Sequence, residues 1–255
     1  MKKRIAQRVL GEHAVAGGRV VRLTFRADDG SGGSAPVPGV LRLPNSHDRV
    51  PAALLLHGYA SRKEDMAESA GDALLALNVA SISIDLPLHG ERGDPLELRS
   101  IRNPLELAGR WRIAIDDAVL ALRYLAARRE VRRDRLALVG YSLGSYLALA
   151  VAERDRSACA VVLAAGGDLP DIAFAPLLRA VVDPVRAIRA LEGRPLLMVH
   201  GRRDRTILPE QAERLFAAAH EPKEIRWWDA GHYLPDAAVA RASAWLADRL
   251  RAPDA

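Results

Sequence analysis

From residue 51 onward, short apolar runs alternate with longer helical stretches, and few folds satisfy that alternation. A run of five or six residues with no polar face needs cover on both sides, as does a strand of a parallel sheet packed between helices. The runs fall at 52–57, 80–85, 135–140, 160–165, 196–200 and 224–228. Helical stretches stand at 64–77, 111–128, 142–154 and 209–219, and a last helix covers about 236–250. The second of them shows the pattern. Trp111, Ile115, Ala118, Val119, Leu122 and Leu125 recur at helical spacing, with Arg112, Asp116, Arg123 and Arg128 mostly on other faces.

Ahead of this region, 20–25 and 37–43 read as two strands, expected to pair antiparallel, joined by a Gly, Ser and Pro-rich loop over 28–38. The reading is one α/β domain over 1–255, with about eight strands in a mostly parallel sheet and helices on both faces. A chain of 255 residues is long enough to bury a substantial core. Two stretches, 91–110 and 166–194, fall outside the alternation and follow strand ends. Ligands of open parallel sheets bind outside the carboxyl ends of the strands, so both stretches are placed to act as small lid elements. In the second, Ile172, Phe174, Leu177 and Leu178 form either an apolar acyl-binding surface or a short helix packed on the body.

A net charge of +5 raises the question of nucleic acid. The densest cluster, from Arg128 to Arg135, is broken by Glu130 and Asp134 and carries no aromatic interleaving, so it reads as a solvated connector. No apolar run approaches the eighteen or so residues of a membrane span. The basic N-terminus is followed by Arg8, Glu12, His13 and Arg19, which interrupt any secretory apolar region. Cys159 is the single cysteine, so no internal disulfide forms, and its apolar surroundings suggest a buried, inert thiol. These features together place the chain in the cytoplasm, with neither a nucleic-acid nor a membrane partner. They leave the oligomeric state open.

Within the alternation, Gly140-Tyr141-Ser142-Leu143-Gly144 joins a strand to a helix. A serine on so sharp a turn is held in a strained conformation with its hydroxyl exposed above the sheet edge, and the flanking glycines give the turn room. A serine hydroxyl is a poor nucleophile at neutral pH, so it needs a base, and the base needs an orienting acid. The strand at 196–200 runs into Gly201-Arg202-Arg203-Asp204, and the strand at 224–228 runs into Asp229-Ala230-Gly231-His232. Ser142, Asp204 and His232 thus all stand just past strand ends, where they can converge above the sheet. Asp168, beyond the preceding strand, is the rival acid, and Asp204 the favoured one.

Five elements in register carry a resemblance: His57-Gly58-Tyr59; Asp85 with His89-Gly90-Glu91-Arg92; the Gly140–Gly144 turn; Gly201 to Asp204; and Gly231-His232. On these the chain resembles the α/β-hydrolases, and within them is similar to dienelactone-hydrolase and prolyl-oligopeptidase-like intracellular serine esterases. The resemblance implies an α/β-hydrolase fold with a small or absent cap, acting on a small-molecule ester. It makes Ser142 the nucleophile, His232 the general base and then acid, and Asp204 its partner. The backbone N–H groups of Tyr59 and Leu143 would form the oxyanion hole, with the Tyr59 ring lining the pocket. His57, Asp85, His89, Glu91 and Arg92 are expected to brace loops. Trp227 and Trp228 face opposite sides of a strand and are expected to pack.

Other chemistry lacks support. The chain has no Gly-x-Gly-x-x-Gly after a strand, no phosphate-binding Gly-Lys-Ser/Thr loop and no His-Glu-x-x-His, and no cofactor or metal is implied. The same three residues also suit a peptidase or amidase, a thioesterase or acyltransferase, or a non-catalytic ligand-binding protein on the same scaffold.

Overall fold

The apolar runs become the strands of a single twisted layer, and a computed structural model describes residues 4–28, 35–171 and 175–252. Nine strands lie in the order β1-β2-β3-β5-β4-β6-β7-β8-β9. They are β1 Arg4–Val15, β2 Gly18–Asp28, β3 Val37–Pro44, β4 Val50–Leu56, β5 Ala80–Ile84, β6 Val131–Tyr141, β7 Ala158–Ala164, β8 Leu196–Gly201 and β9 Lys223–Trp228. β1, β2 and β3 run antiparallel to their neighbours, as far as β3 against β5. From β5 through β4 to β9 every pairing is parallel. The six expected parallel strands and the antiparallel β2–β3 pair are all present.

Helix α1, Lys63–Met66, passes through a π-helical turn, Ala67–Gly71, into α2, Asp72–Ala76. The remaining helices are α3 Leu96–Ser100, α4 Pro104–Ala126, α5 Leu143–Arg154, α6 Ala175–Val181, α7 Pro184–Arg189, α8 Pro209–Ala218 and α9 Asp236–Arg251. Successive strand residues point to opposite sides, which divides the core into two layers. Leu54, Leu56, Leu136, Leu138, Leu163 and Met198 pack beneath α4, α5, α7 and α8. Ala53, Leu55, Val139, Val162 and Val199 face Leu74, Trp245 and Leu246 on the other side. Trp227 joins the first layer and Trp228 the second, as their adjacency requires.

Three expectations change. The strand count is nine because β1 precedes the two strands read at the N-terminus. Helix α4 begins at Pro104, not 111, because the Asn103 side chain accepts from the Leu105 N–H at 2.9 Å and Pro104 needs no donor at that position. Much of 91–110 is therefore the entry to α4, leaving the short α3 as its lid-like part. Cys159 is half-buried, and its thiol donates to the Leu136 carbonyl at 3.3 Å. The Arg128–Arg135 cluster follows the end of α4 and runs into the start of β6, with Arg128 paired to Glu130 and Arg132 to Asp134. Among the described residues, no helix is long and apolar enough to cross a membrane.

The chain runs from β4 to β5 on one side of β4, then returns to β6 on the other. The C-terminal ends of β4 and β6 thus form a topological switch point, where loops diverge and leave a crevice.

Leu54 sits at the middle of this sheet, fully buried between Ile82 and Leu138. Leu54→Ala is expected to destabilise the protein by about 2–5 kcal/mol in urea unfolding, through lost transfer energy and a cavity that strand neighbours cannot close. A loss below about 1 kcal/mol would show that β4 is not central to the core.

Candidate active site

Ser142 stands between the last residue of β6 and the first of α5, with φ 51° and ψ −112°. For a residue with a Cβ this is a strained conformation, worth about 1–3 kcal/mol, and it persists because the neighbourhood over-determines it. The Ser142 N–H donates to the Ala164 carbonyl of β7 at 2.9 Å. The Ser142 carbonyl accepts from the Ser145 N–H at 2.9 Å and the Ser145 hydroxyl at 2.6 Å. The flanking glycines are required by contact. A Cβ on Gly140 would lie 2.2 Å from the Gly144 carbonyl oxygen, and one on Gly144 2.0 Å from that of Leu56.

Beyond β8 and β9, the two loops deliver their side chains to the same rim. His232 Nε2 lies 3.0 Å from Ser142 Oγ, and His232 Nδ1 lies 2.8 Å from Asp204 Oδ2. The carboxylate accepts from Nδ1–H, so the lone pair of Nε2 is presented to the serine hydroxyl. Asp204 is buried, and its second oxygen, Oδ1, accepts from the backbone N–H groups of Thr206 at 2.8 Å and Ile207 at 3.1 Å. The turn-capping role and the histidine-partner role thus fall to different oxygens of one carboxylate. Asp168 is engaged elsewhere: it takes two hydrogen bonds from Arg179, at 2.9 and 3.1 Å, with Arg214 at 3.6 Å.

The loop after β4 supplies the opposite wall. The Leu86 N–H donates to His57 Nε2 at 3.1 Å, which leaves the proton on Nδ1 to donate to the Gly58 carbonyl at 2.7 Å. That carbonyl belongs to the same peptide unit as the Tyr59 N–H, so the imidazole fixes the direction in which that N–H points. Burial pushes the His57 imidazole down to about 4, against the smaller opposing effect of the Gly58 bond, and the ring is neutral. Burial also lowers His89 and His200. Leu143 opens α5, where the first backbone N–H groups have no intrahelical acceptor and the helix dipole is positive.

The expected bracing residues do meet. Asp85 Oδ1 accepts from the Lys63 N–H at 2.9 Å, and Oδ2 accepts from Lys63 Nζ at 2.8 Å and the Glu91 N–H at 3.0 Å. Arg92 donates to the Asp85 carbonyl and pairs with Asp117 at 2.7 Å. Burial alone would lower the Lys63 ammonium, but hydrogen bonds from it to Asp85, Glu91 and Glu64 more than offset that and hold it above the ordinary lysine value. Sequence reasoning missed Lys63, whose charge suggests an exposed helix start. It also missed Tyr141, whose hydroxyl donates to the His232 carbonyl and is pushed up to about 12 by burial. The one available signal for Tyr141 was its place beside the serine.

The Tyr59 hydroxyl donates to the Pro95 carbonyl at 3.1 Å, and Arg99 stacks over its ring at 5.3 Å, tying α3 to the site. Of the apolar candidates in 166–194, Ile172 and Phe174 lie outside the described residues, as does the side chain of Leu177. Among the described residues, no group of three or more His, Cys, Asp or Glu is arranged to hold a metal ion.

The sequence profile described as "Alpha/beta hydrolase family" matches residues 53–249. No curated protein matches the chain. Among solved structures, acetyl xylan esterase 1 from Thermoanaerobacterium sp. JW/SL YS485 superposes with a TM-score of 0.79 at 18% identity, covering 99% of this chain and 89% of that one. A cold-adapted esterase from an Arctic intertidal metagenomic library gives 0.74 at 20% identity, covering 98% of this chain and 100% of that one. TT1662 from Thermus thermophilus gives 0.71 at 23% identity, covering 85% and 95%. At these identities the likeness is one of fold.

The neutral His57 makes the fold acid-sensitive. Its pKa is near 4 when folded and about 6.5 when unfolded, so the unfolded chain binds the extra proton between those values. The stabilisation is complete above about pH 6.5 and disappears as pH falls towards 4, a loss of about 3 kcal/mol from this residue. His89 and His200 act with the same sign. Urea midpoints should fall steeply over that window, and NMR should show a His57 ring that stays neutral at pH 5.5. A ring titrating near 6.5 in the folded protein would refute the assignment.

Proposed function

The chain belongs to the alpha/beta hydrolase family, and from that premise we propose that it is a serine hydrolase that cleaves carboxylic esters of small molecules through an acyl-enzyme. The observation that carries the reading is the unbroken proton path from Ser142 Oγ to His232 Nε2 at 3.0 Å and from His232 Nδ1 to Asp204 Oδ2 at 2.8 Å.

In this reading Ser142 attacks the ester carbonyl while His232 Nε2 takes the hydroxyl proton. The imidazolium that forms is stabilised by Asp204, whose other oxygen is held by two backbone N–H groups. The carbonyl oxygen becomes an oxyanion in the space between the N–H groups of Tyr59 and Leu143. Donors fixed there stabilise the oxyanion more than the ground-state carbonyl, and losing one typically costs about 10²–10³ in rate. His232 then protonates the departing alkoxide. Water, deprotonated by the same Nε2, attacks the acyl-enzyme and restores the serine. No step calls on a cofactor. A single cysteine, which leaves these 255 residues without an internal disulfide, supports a cytoplasmic setting.

A fluorophosphonate probe should label the purified protein at Ser142, and Ser142→Ala should abolish labelling while keeping the circular-dichroism spectrum. On p-nitrophenyl acetate, Ser142→Ala is expected to lower kcat by roughly 10⁶-fold. Asp204→Asn should lower it by about 10⁴-fold, because an amide no longer holds the imidazole in its active tautomer. Persistent labelling of Ser142→Ala would reassign the nucleophile.

A further inference from the structure

Beneath Ser142 and His232 a cavity of about 490 Å³ opens into the protein on the α9 side of the sheet. Protein interiors are packed to crystal density and hold few voids larger than a water molecule, so a space this large is not a packing defect. It has the size of a ligand pocket. Its position is set by small side chains. Val139, Val162 and Val199, near the C-terminal ends of β6, β7 and β8, form its sheet wall. Ala238 and Ala242 of α9 face them, so neither helix nor sheet fills the gap. On the third side Met66 and Ala70 line it, and the π-helical turn over Ala67–Gly71 lies in this wall. π-turns in helices are frequent at functional sites.

The polarity is graded. At the mouth, Ser61, Asp65, Ser69 and Asp236 share the lining with the reacting groups. Farther along the two helices the lining is the buried Ser243 and the larger apolar side chains of Leu74 and Leu246, which close the floor. Both helical walls run from the active-site end downward, and Met66 to Leu74 spans roughly 12 Å at the helical rise, the reach of an extended chain of about eight to ten carbons.

Resting on the serine hydrolase reading, we propose that this cavity holds the acyl chain of the substrate, so that the enzyme prefers esters of linear medium-chain carboxylic acids to acetates. The ester carbonyl sits at Ser142, between Tyr59 and Leu143. The alkyl chain descends between α9 and the π-turn, and the alcohol remains at the polar mouth. The chain contributes by burial alone, without polar partners. Burial imposes no directional contacts on the alkyl chain, so chain length is selected by the floor at Leu74 and Leu246.

The test is kcat/KM on p-nitrophenyl esters from acetate to dodecanoate. The expected result is a rise of up to about fourfold per methylene to octanoate or decanoate, equivalent to about 0.8 kcal/mol for each buried CH₂, and a fall at dodecanoate. Ala242→Phe and, separately, Ala70→Leu should lower the octanoate-to-acetate ratio at least tenfold. In parallel, ethyl octanoate should raise the Tm of Ser142→Ala, and the rise should vanish in Ser142→Ala/Ala242→Phe. Activity that is flat or declines from acetate upward, or a ratio untouched in both filled variants, overturns the cavity assignment and leaves the hydrolase standing. If no ester is turned over and no fluorophosphonate bound, yet ethyl octanoate still stabilises the protein through Ala242, the hydrolase reading fails and the apolar site survives. Absence of that stabilisation overturns the site as well.

Discussion

The first turn of α5 lies so close to the end of β4 that a Cβ on Gly144 would stand 2.0 Å from the Leu56 carbonyl oxygen, far inside van der Waals contact. That approach puts Ser142 beside the loop that carries Tyr59, although the two are far apart in sequence. Gly140 makes the same demand from the strand side, against the backbone of Gly144. With both ends pinned, the serine has no relaxed conformation available, and its positive φ follows from the packing of its neighbours. The hydroxyl direction is therefore set by backbone contacts, which do not depend on the chemistry to be performed.

Charge is distributed around this point in two distinct ways. His57, inside the loop after β4, is kept neutral by burial and acts as a rigid hydrogen-bonding spacer, with each ring nitrogen committed to one backbone group. Lys63 is kept charged despite burial because Asp85, Glu91 and Glu64 surround it. A buried ion pair of this kind adds little net stability compared with apolar packing, but removing one partner leaves the other uncompensated. Its effect is positional: Asp85 holds the start of α1 through the Lys63 N–H and the following loop through the Glu91 N–H. The two loops that flank Tyr59 are thus tied to one carboxylate at the end of β5.

Most of the parallel strands were legible as apolar runs buried on both faces, although the edge strand β9 carries Lys223, Glu224 and Arg226 and is only half-buried, and their observed ends differ from the sequence reading by a few residues. The meeting of Ser142, Asp204 and His232 was legible for a related reason: a residue just past a parallel strand has only the sheet rim to occupy. β1 was not legible. It is an edge strand with charged residues and with Val9 and Leu10 exposed, and its register shifts between Val9 and Gly11, so neither alternation nor an apolar run marks it. The start of α4 is marked by Asn103-Pro104, a cap and a proline at the first helical turn, but Glu106 and Arg110 interrupt the apolar periodicity that identifies the rest of the helix. Lys63 and Tyr141 were hidden for opposite reasons. A lysine at a helix start normally faces water, and a tyrosine next to Ser142 reads as packing, whereas only the three-dimensional arrangement reveals their partners.

The cavity belongs to the same category, since a void is a property of what several distant segments leave out. Valine on three adjacent strands and alanine on the facing helix are individually ordinary core residues. Their coincidence at the active-site end, with Leu74 and Leu246 reserved for the far end, makes a space where a core of uniform leucine would have none. At the cavity coefficient measured for leucine truncations, about 24 cal/mol per Å³, a closed and empty void of this size would cost on the order of 10 kcal/mol, comparable to the whole stability of a domain. Such a space is tolerable when it opens to solvent and when a ligand restores the missing contacts. A pocket that opens to solvent and is lined by both Ser142 and His232 meets the first condition, and the proposed acyl chain would meet the second, so the void and the proposed nucleophile are better understood as one site than as two.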